Sequence, residues 1–173
     1  MALKNKCVFL DRDGVLNEDR PDYSYHLEHF RVLPGVPLAL RQLKNAGYLL
    51  IVVTNQSGIS KGVYTQQDME ACHDYLQQVC GGLIDHFYFS PYHPDISESL
   101  GRKPGSLLFE KGIAKFGIEP ARSWMVGDRE RDLVPARQLG MRTILIGNDA
   151  GTAGKWDFTT PDLASAARQI LSR

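Results

Sequence analysis

Short apolar segments alternate with helix-patterned segments along most of the chain, and this alternation limits the possible folds more than any other feature. Five segments have the length and composition of buried strands: residues 7–10, 48–53, 85–89, 124–126 and 143–146. Five segments have the pattern of helices, and each comes after one of these strands. They are residues 36–45, 66–79, 106–116 and 163–171, together with a segment after the fourth strand that ends at residue 139. Strands that alternate with helices predict a parallel sheet covered on both faces, and so a doubly wound, Rossmann-like α/β fold.

Length and charge exclude several classes of protein. The 173 residues contain no insertion long enough for a second domain, so we expect a single domain over 1–173 without a large cap. Twenty basic residues balance twenty acidic ones, whereas a protein that grips nucleic acid usually has a basic excess. Residues 1–6 lack the pattern of a signal peptide, and no apolar run has membrane-spanning length. We expect a cytoplasmic monomer that binds neither nucleic acid nor membrane.

The three cysteines, Cys7, Cys72 and Cys80, are scattered and form no paired motif. They indicate a reducing compartment and no disulfide framework.

The first apolar segment leads directly into two acids. Asp11 and Asp13 follow residues 7–10, and Gly14 then interrupts the strand pattern. In open α/β sheets, ligands bind at the carboxyl ends of the strands. Two carboxylates at such an end can bind a hard divalent cation, and one of them can act as a nucleophile.

Polar residues also follow the other strands. Thr54 and Asn55 come after the second, and Asp128 and Asp132 come after the fourth. Arg102 and Lys103 lie between the third and the fourth. Because parallel strands end at one edge of the sheet, we expect these groups to converge although they are distant in sequence.

The converging groups have the chemistry of phosphoryl transfer. Asp11, Asp13 and Asp128 would repel one another without a cation, and Mg²⁺ prefers such oxygen ligands. Lys103 would neutralise an attacking carboxylate and a phosphoryl oxygen, while the Thr54 hydroxyl and the backbone N–H of Asn55 would donate to other phosphoryl oxygens. Taken singly, each group has an alternative interpretation: a helix cap for 54–55, a solvated charge for Lys103, and a first-turn acid for residue 132.

The four motifs resemble those of the haloacid dehalogenase superfamily of phosphatases, and the resemblance covers nearly the whole chain. It implies that Asp11 is the nucleophile and Asp13 the acid and base, with Thr54 and Lys103 as further catalytic residues. It implies metal ligation by Asp11, Asp13 and Asp128, with Asp132 supporting a bound water.

The segments Leu10–Gly14, Thr54–Gly58 and Arg102–Pro104 are similar to a narrower group, the D-glycero-D-manno-heptose 1,7-bisphosphate phosphatases and the related histidinol-phosphate phosphatases. The resemblance implies removal of the C7 phosphate of a heptose bisphosphate, in lipopolysaccharide biosynthesis. The substrate contacts that we predict are Asn17, Glu18, Tyr23, Asn55, Gln56, Ser57, Lys61 and Arg102.

The chain departs from this group in a loop that often binds zinc through Cys and His. The corresponding positions here are Ser90, Tyr92, Ser99 and Gly101, with His93 as a lone candidate. None of the four can replace a thiolate in a tetrahedral site, so we predict no structural zinc. Lys61 also stands where the group often has Arg, which removes a bidentate contact.

Three alternatives remain open from the sequence. One is a histidinol-phosphate phosphatase with the same machinery, and another is a DNA 3′-phosphatase, which the balanced charge disfavours. The third belongs to a different class, a non-enzymatic phospho-acceptor signalling module. Such modules also use Asp, Thr and Lys with Mg²⁺, but their acceptor Asp follows the third strand.

Overall fold

The computed structural model describes residues 4–147 and 154–173, and within them it contains a six-stranded sheet and five α-helices. The strands are β1 (Cys7–Leu10), β2 (Leu49–Asn55), β3 (His86–Ser90), β4 (Trp124–Gly127), β5 (Arg142–Ile146) and β6 (Phe158–Thr160). The helices are α1 (Val36–Asn45), α2 (Gln66–Val79), α3 (Leu107–Phe116), α4 (Glu130–Gln138) and α5 (Leu163–Leu171).

Every strand pair in the sheet is parallel, and the strand order is β3-β2-β1-β4-β5-β6. Strands β2 and β3 are therefore added in turn on one side of β1. Strand β4 then pairs with the other side of β1, and β5 and β6 follow it outward. This reversal creates a crevice between the ends of β1 and β4, where ligands of open α/β sheets bind. The α/β, Rossmann-like fold class is confirmed.

The core lies on both faces of the sheet because neighbouring strand residues point to opposite sides. In β1, Val8 and Leu10 belong to one apolar cluster, which also contains residues of α1, α2 and α5. Cys7 and Phe9 belong to a second cluster, which contains residues of α3 and α4. A strand buried on both faces has to be apolar throughout, which explains the unbroken run at residues 7–10.

Two element boundaries differ from the prediction. Strand β2 extends to Asn55, so Thr54 and Asn55 are its last residues rather than the start of a loop. Strand β6 was not identified in the sequence, where the pattern of residues 147–158 predicts only a loop. Residues 148–153 of that loop lie outside the described residues. No helix of the described chain is long and apolar enough to span a bilayer.

Candidate active site

Asp11 lies at the carboxyl end of β1, within the crevice between β1 and β4. Its backbone N–H donates to the carbonyl of Val126 at 3.0 Å, so it continues the pairing of β1 with β4. Gly14 then turns the chain with φ of 84°, a conformation that favours glycine. A Cβ atom at Gly14 would lie 2.4 Å from Asp128 Oδ2. The first loop can therefore approach Asp128 only because residue 14 has no side chain.

The ammonium group of Lys103 connects Asp11, which follows β1, with Asp132, which lies in α4. Its Nζ donates to Asp11 Oδ1 and to the carbonyl of Val53, both at 2.7 Å, and lies 2.7 Å from Asp132 Oδ1. The side chain is 1 % exposed, so its charge is compensated by these partners rather than by water. The predicted convergence of Lys103 with Asp11 is confirmed.

Three carboxylates form the potential metal site. Asp11, Asp128 and Asp132 each offer an oxygen within 4.8 Å of the other two. Asp128 follows β4 directly, and Asp132 lies in the first turn of α4, where its Oδ2 accepts from the backbone N–H of Arg129 at 3.0 Å. The donor atoms are all oxygens, which suits a hard cation such as Mg²⁺.

The charges of this cluster are not balanced by the protein. Burial, together with the nearby Asp132 and Asp128 carboxylates, raises the pKa of Asp11 to about 8, although Lys103 opposes the rise. Burial and Asp132 also raise the pKa of Asp128 to about 6. Burial alone would lower the pKa of Lys103, but Asp11 and Asp132 raise it above its ordinary value. A cation bound among these carboxylates would relieve the repulsion and displace the proton from Asp11.

Asp13 is held by hydrogen bonds from three side chains. Arg12, which is fully buried, donates to both carboxylate oxygens of Asp13 at 2.9–3.2 Å. Asn17 Nδ2 donates to Oδ1 at 2.9 Å, and Gln56 Nε2 donates to Oδ2 at 3.0 Å. Tyr64 in turn donates to Gln56 Oε1 at 2.6 Å. The orientation of the Asp13 carboxylate is therefore fixed before any substrate binds.

Two residues at the end of β2 have structural contacts that the sequence did not predict. The side chain of Asn55 accepts from the backbone N–H of Lys103 and donates to its carbonyl, both at 3.0 Å. Thr54 is 1 % exposed, and its hydroxyl oxygen accepts from Gln56 Nε2 at 2.9 Å. Asn55 thus fixes the backbone of Lys103, and a contact between Thr54 and a phosphoryl group stays a prediction.

The crevice opens into a cavity of about 300 Å³ above the carboxylates. Nine predicted site residues line it: Asp11, Asp13, Tyr23, Asn55, Gln56, Ser57, Arg102, Lys103 and Asp128. Five others lie outside its wall: Asn17, Glu18, Thr54, Lys61 and Asp132. For Asn17 the physical reason is clear, since its amide is fully buried and donates to Asp13 and to the Glu18 carbonyl.

The cavity also has seven lining residues that the sequence analysis did not select: Asp19, Arg20, Pro21, Ser24, His93, Arg129 and Arg131. Arg129 bridges two segments, because it contacts Asp19 at 3.1 Å and Asp128 at 3.2 Å. Burial and the neighbouring Arg131 charge lower the pKa of Arg102, so positive charge is concentrated at the outer wall. For four of the seven, Asp19, Arg20, Pro21 and Ser24, the polar segment of residues 17–31 was a signal, but its composition does not identify which side chains face the cavity.

The loop of residues 91–105 is held by hydrogen bonds to the protein. His93 N donates to Ser60 Oγ at 2.9 Å, and Ser60 N donates to the Pro91 carbonyl at 3.2 Å. Arg102 Nη1 donates to the Tyr92 carbonyl at 3.1 Å. The structure thus provides an alternative to metal for holding this loop, while the absence of zinc stays a prediction.

Comparison with known proteins agrees with this geometry. A family model described as HAD-hyrolase-like matches residues 100–166. The D-glycero-beta-D-manno-heptose-1,7-bisphosphate 7-phosphatase of Haemophilus ducreyi is 38 % identical over 80 % of both chains. The D-glycero-alpha-D-manno-heptose-1,7-bisphosphate 7-phosphatase of Burkholderia mallei is 37 % identical over 83 % of this chain and 80 % of its own length.

A solved structure extends the comparison to the fold. The D,D-heptose 1,7-bisphosphate phosphatase of B. bronchiseptica, complexed with magnesium and phosphate, aligns with a TM-score of 0.87 and 29 % identity, covering 96 % of this chain and 98 % of its own. The chain therefore belongs to the haloacid dehalogenase-like phosphatases, in the family whose relatives are named heptose-1,7-bisphosphate 7-phosphatases.

Proposed function

We propose that the protein hydrolyses the C7 phosphate ester of D-glycero-D-manno-heptose 1,7-bisphosphate through an aspartyl-phosphate intermediate on Asp11. The observation that carries this proposal is the contact of Lys103 Nζ with Asp11 Oδ1 at 2.7 Å beside two further carboxylates. That arrangement combines a nucleophile, a buried cation and a candidate metal site at one point, which phosphoryl transfer requires.

In the first step, an oxygen of Asp11 attacks phosphorus while the bond to the sugar oxygen breaks. Asp13 gives its proton to the leaving sugar oxygen. In the second step, Asp13 takes a proton from water, and the resulting hydroxide attacks phosphorus. Inorganic phosphate leaves, and the Asp11 carboxylate is restored. Lys103 stabilises negative charge on Asp11 and on the transferring group throughout.

The residues present fit Mg²⁺. Carboxylates of Asp11 and Asp128 and the carbonyl of Asp13 would hold it, with Asp132 supporting a bound water. The relative solved with magnesium and phosphate supports this assignment. When bound, Mg²⁺ neutralises the developing charge of the phosphoryl group.

The proposed substrate has two phosphate groups, and the cavity has cationic side chains both at its base and in its wall. Lys103 lies at the base beside Asp11. Arg20, Arg102 and Arg131 lie among the residues of the wall. We assign the C7 phosphate to the base and the C1 phosphate to these arginines, which suit phosphate oxygens better than lysines do.

The direct test is phosphate release, in the presence of Mg²⁺, from both anomers of the heptose bisphosphate, with histidinol phosphate as the competing substrate. We expect turnover of at least one anomer to exceed that of histidinol phosphate, because only the bisphosphate uses the outer arginines. Asp11→Asn is expected to abolish turnover and to keep its thermal transition. Preference for histidinol phosphate would reject the sugar assignment, and a largely active Asp11→Asn would reject the nucleophile.

A further inference from the structure

A second group of cations lies at the opposite edge of the sheet, at the amino ends of the strands. There, a cavity of about 240 Å³ is lined by Ala121 and by six larger residues, Lys6, Tyr48, Arg122, Trp124, Arg142 and Arg173, with no acid among its described lining residues. Lys6 precedes β1 and Tyr48 precedes β2, while Trp124 and Arg142 begin β4 and β5 and are partners in the sheet register. We call these six residues and their cavity the amino-edge site.

Three of the four cations in the amino-edge site are not paired with carboxylates. Within residues 4–147 and 154–173, no side-chain hydrogen bond or ion pair forms from Lys6, Arg142 or Arg173; each lies over a ring instead. Lys6 Nζ is 4.2 Å from the ring centroid of Tyr48, and Arg142 Cζ is 5.2 Å from that of Trp124. Arg173 Cζ is 5.1 Å from the ring of a neighbouring phenylalanine. A ring attracts a cation but leaves the N–H edge of a guanidinium able to bind an anion.

The fourth cation, Arg122, has only weak partners. Its Nη1 lies 3.5 Å from Glu119 Oε2 and 3.3 Å from the carbonyl of Lys4, and the side chain is about half exposed. The positive charge of the amino-edge site is therefore largely uncompensated, although the chain as a whole has equal numbers of acids and bases.

A neighbouring cavity of about 370 Å³ adjoins the amino-edge site and shares Arg142 and Arg173 with it. Its acid, Asp157, is already engaged, because Oδ2 accepts from the backbone N–H and the hydroxyl of Thr143 at 2.8 and 2.9 Å. Arg142 and Arg173 thus line both cavities, and in the second one the Asp157 oxygen that accepts these bonds is directed to Thr143.

We propose that the amino-edge site binds a small anion that carries two phosphate groups. Arginine recognises phosphate through paired N–H donors, and the two cavities that share Arg142 and Arg173 have volumes of about 240 and 370 Å³, which is room for one phosphate each. A nucleoside diphosphate and a sugar bisphosphate share this chemistry.

The test uses fluorescence of Trp124, which lies in the wall of the site. The chain has two tryptophans, so Trp156→Phe leaves Trp124 as the reporter. The Trp156 indole N–H has no hydrogen-bond partner among the described residues, and its loss removes no such contact. The full-length variant is titrated with inorganic pyrophosphate in EDTA, so that no turnover occurs. We expect a saturable change, because an anion that binds Arg142 alters the contact of its guanidinium with the ring.

Two further variants locate the binding. Arg142→Gln in the same background is expected to weaken pyrophosphate binding about tenfold or more, the usual cost of one charged hydrogen-bonding partner. Its affinity is measured by isothermal titration calorimetry, because the variant also removes the guanidinium that contacts the Trp124 ring. Lys111→Gln removes one exposed charge on α3 and is expected to leave the affinity unchanged. Orthophosphate is expected to bind more weakly than pyrophosphate, since it fills one cavity. Circular dichroism and the thermal transition establish that the variants are folded.

Three results would overturn the proposal: no saturable change at millimolar pyrophosphate, equal weakening by both variants, or equal affinity for orthophosphate and pyrophosphate. The source of the ligand is then decided by competition. Displacement of pyrophosphate by ADP but not by fructose 1,6-bisphosphate identifies a nucleoside diphosphate, and the reverse result identifies a sugar bisphosphate. If neither ligand displaces pyrophosphate, both sources are rejected.

Discussion

Both oxygens of the Asp13 carboxylate accept hydrogen bonds from Arg12, which has no access to solvent and also donates to the carbonyl of Ser24 at 2.8 Å. The ring of Phe30 lies 5.5 Å from its guanidinium carbon. Such a buried, planar group holds its partner in one rotamer more strictly than a flexible ammonium can. Arg12 is therefore a positioning residue for the proposed acid, Asp13.

Arg12→Lys is expected to slow hydrolysis of alkyl phosphates about tenfold or more, because the proton donor loses its paired hydrogen bonds. Hydrolysis of p-nitrophenyl phosphate should fall much less, since that leaving group needs no protonation. The measurement is kcat for both substrates in wild type and variant, with the thermal transition as a check on folding. An equal fall for both substrates would indicate general damage to the site and contradict the positioning role.

The convergence of Asp11, Lys103 and Asp128 could be predicted from the sequence, because parallel strands place their carboxyl ends together. The contacts of Asn17, Thr54 and their neighbours could not. Loop geometry and side-chain rotamer decide whether a side chain faces the cavity or is buried behind its lining residues. The hydrophobic pattern of a sequence predicts neither of them. The four cations of the amino-edge site were missed for a related reason, since they are scattered in sequence and the net charge conceals them.

At the scale of elements, most helices and strands could be predicted because their ends carry local signals. The capping box of α2 is an example: Thr65 N donates to Asp68 Oδ2 at 2.8 Å, and Asp68 N donates to Thr65 Oγ1 at 3.2 Å. Strand β6 had no such signal, since it has three residues, two of them Thr, and it pairs on one side only. Its formation depends on the edge offered by β5, a tertiary effect.

Thr65→Ala should destabilise the protein by about 1 kcal/mol, because α2 loses a side-chain acceptor at its N-terminus. Thr65→Ser retains the hydroxyl and should remain close to wild type. Urea unfolding of the three proteins measures the difference. A loss as large in the Ser variant would show that the threonine methyl group, and not the cap, is responsible.

The loop of residues 91–105 should function without metal. We expect elemental analysis of the purified protein to give far less than one zinc per chain, because Ser90, Tyr92, Ser99 and Gly101 offer no thiolate or imidazole ligand. Dialysis against a chelator, followed by restoration of Mg²⁺, should return full activity. One tightly bound zinc per chain would show that other residues ligate it and that the alignment of this loop is wrong.

At the scale of the whole molecule, the buried carboxylates link stability to pH. The pKa of Asp11 is about 8 in the folded protein and has an ordinary value near 3.8. The metal-free folded state therefore binds more protons than the unfolded state between these values, and this group makes stability fall as pH rises through them. His73 acts in the opposite direction at lower pH, since burial lowers its pKa to about 3 from 6.5. The contribution of His73 therefore fades as pH rises above 6.5, while that of Asp11 continues to about pH 8.

Mg²⁺ should raise the melting temperature more at pH 8 than at pH 6.5, because at the lower pH it must displace the proton of Asp11. The affinity is expected to change up to about tenfold per pH unit for the one proton released. Differential scanning fluorimetry with Mg²⁺ or EDTA at both values measures the effect. Asp11→Asn should lose most of the pH dependence and keep only the part that comes from Asp128, whose pKa is about 6. Identical Mg²⁺-induced shifts at the two values in wild type would contradict the linkage.

The ammonium group of Lys103 has three hydrogens and three protein oxygens around it, from Asp11, Val53 and Asp132. Nζ donates to Asp11 and to Val53, and Asp132 Oδ1 lies 2.7 Å from it, so protein oxygens surround the group before substrate arrives. A phosphoryl oxygen can replace the Asp11 oxygen among these neighbours most easily, since the negative charge of the Asp11 carboxylate decreases as it bonds to phosphorus. One hydrogen bond of Lys103 would then pass from the Asp11 carboxylate to a phosphoryl oxygen while the ammonium group stays in place. Formation of the intermediate would therefore require little rearrangement of the protein.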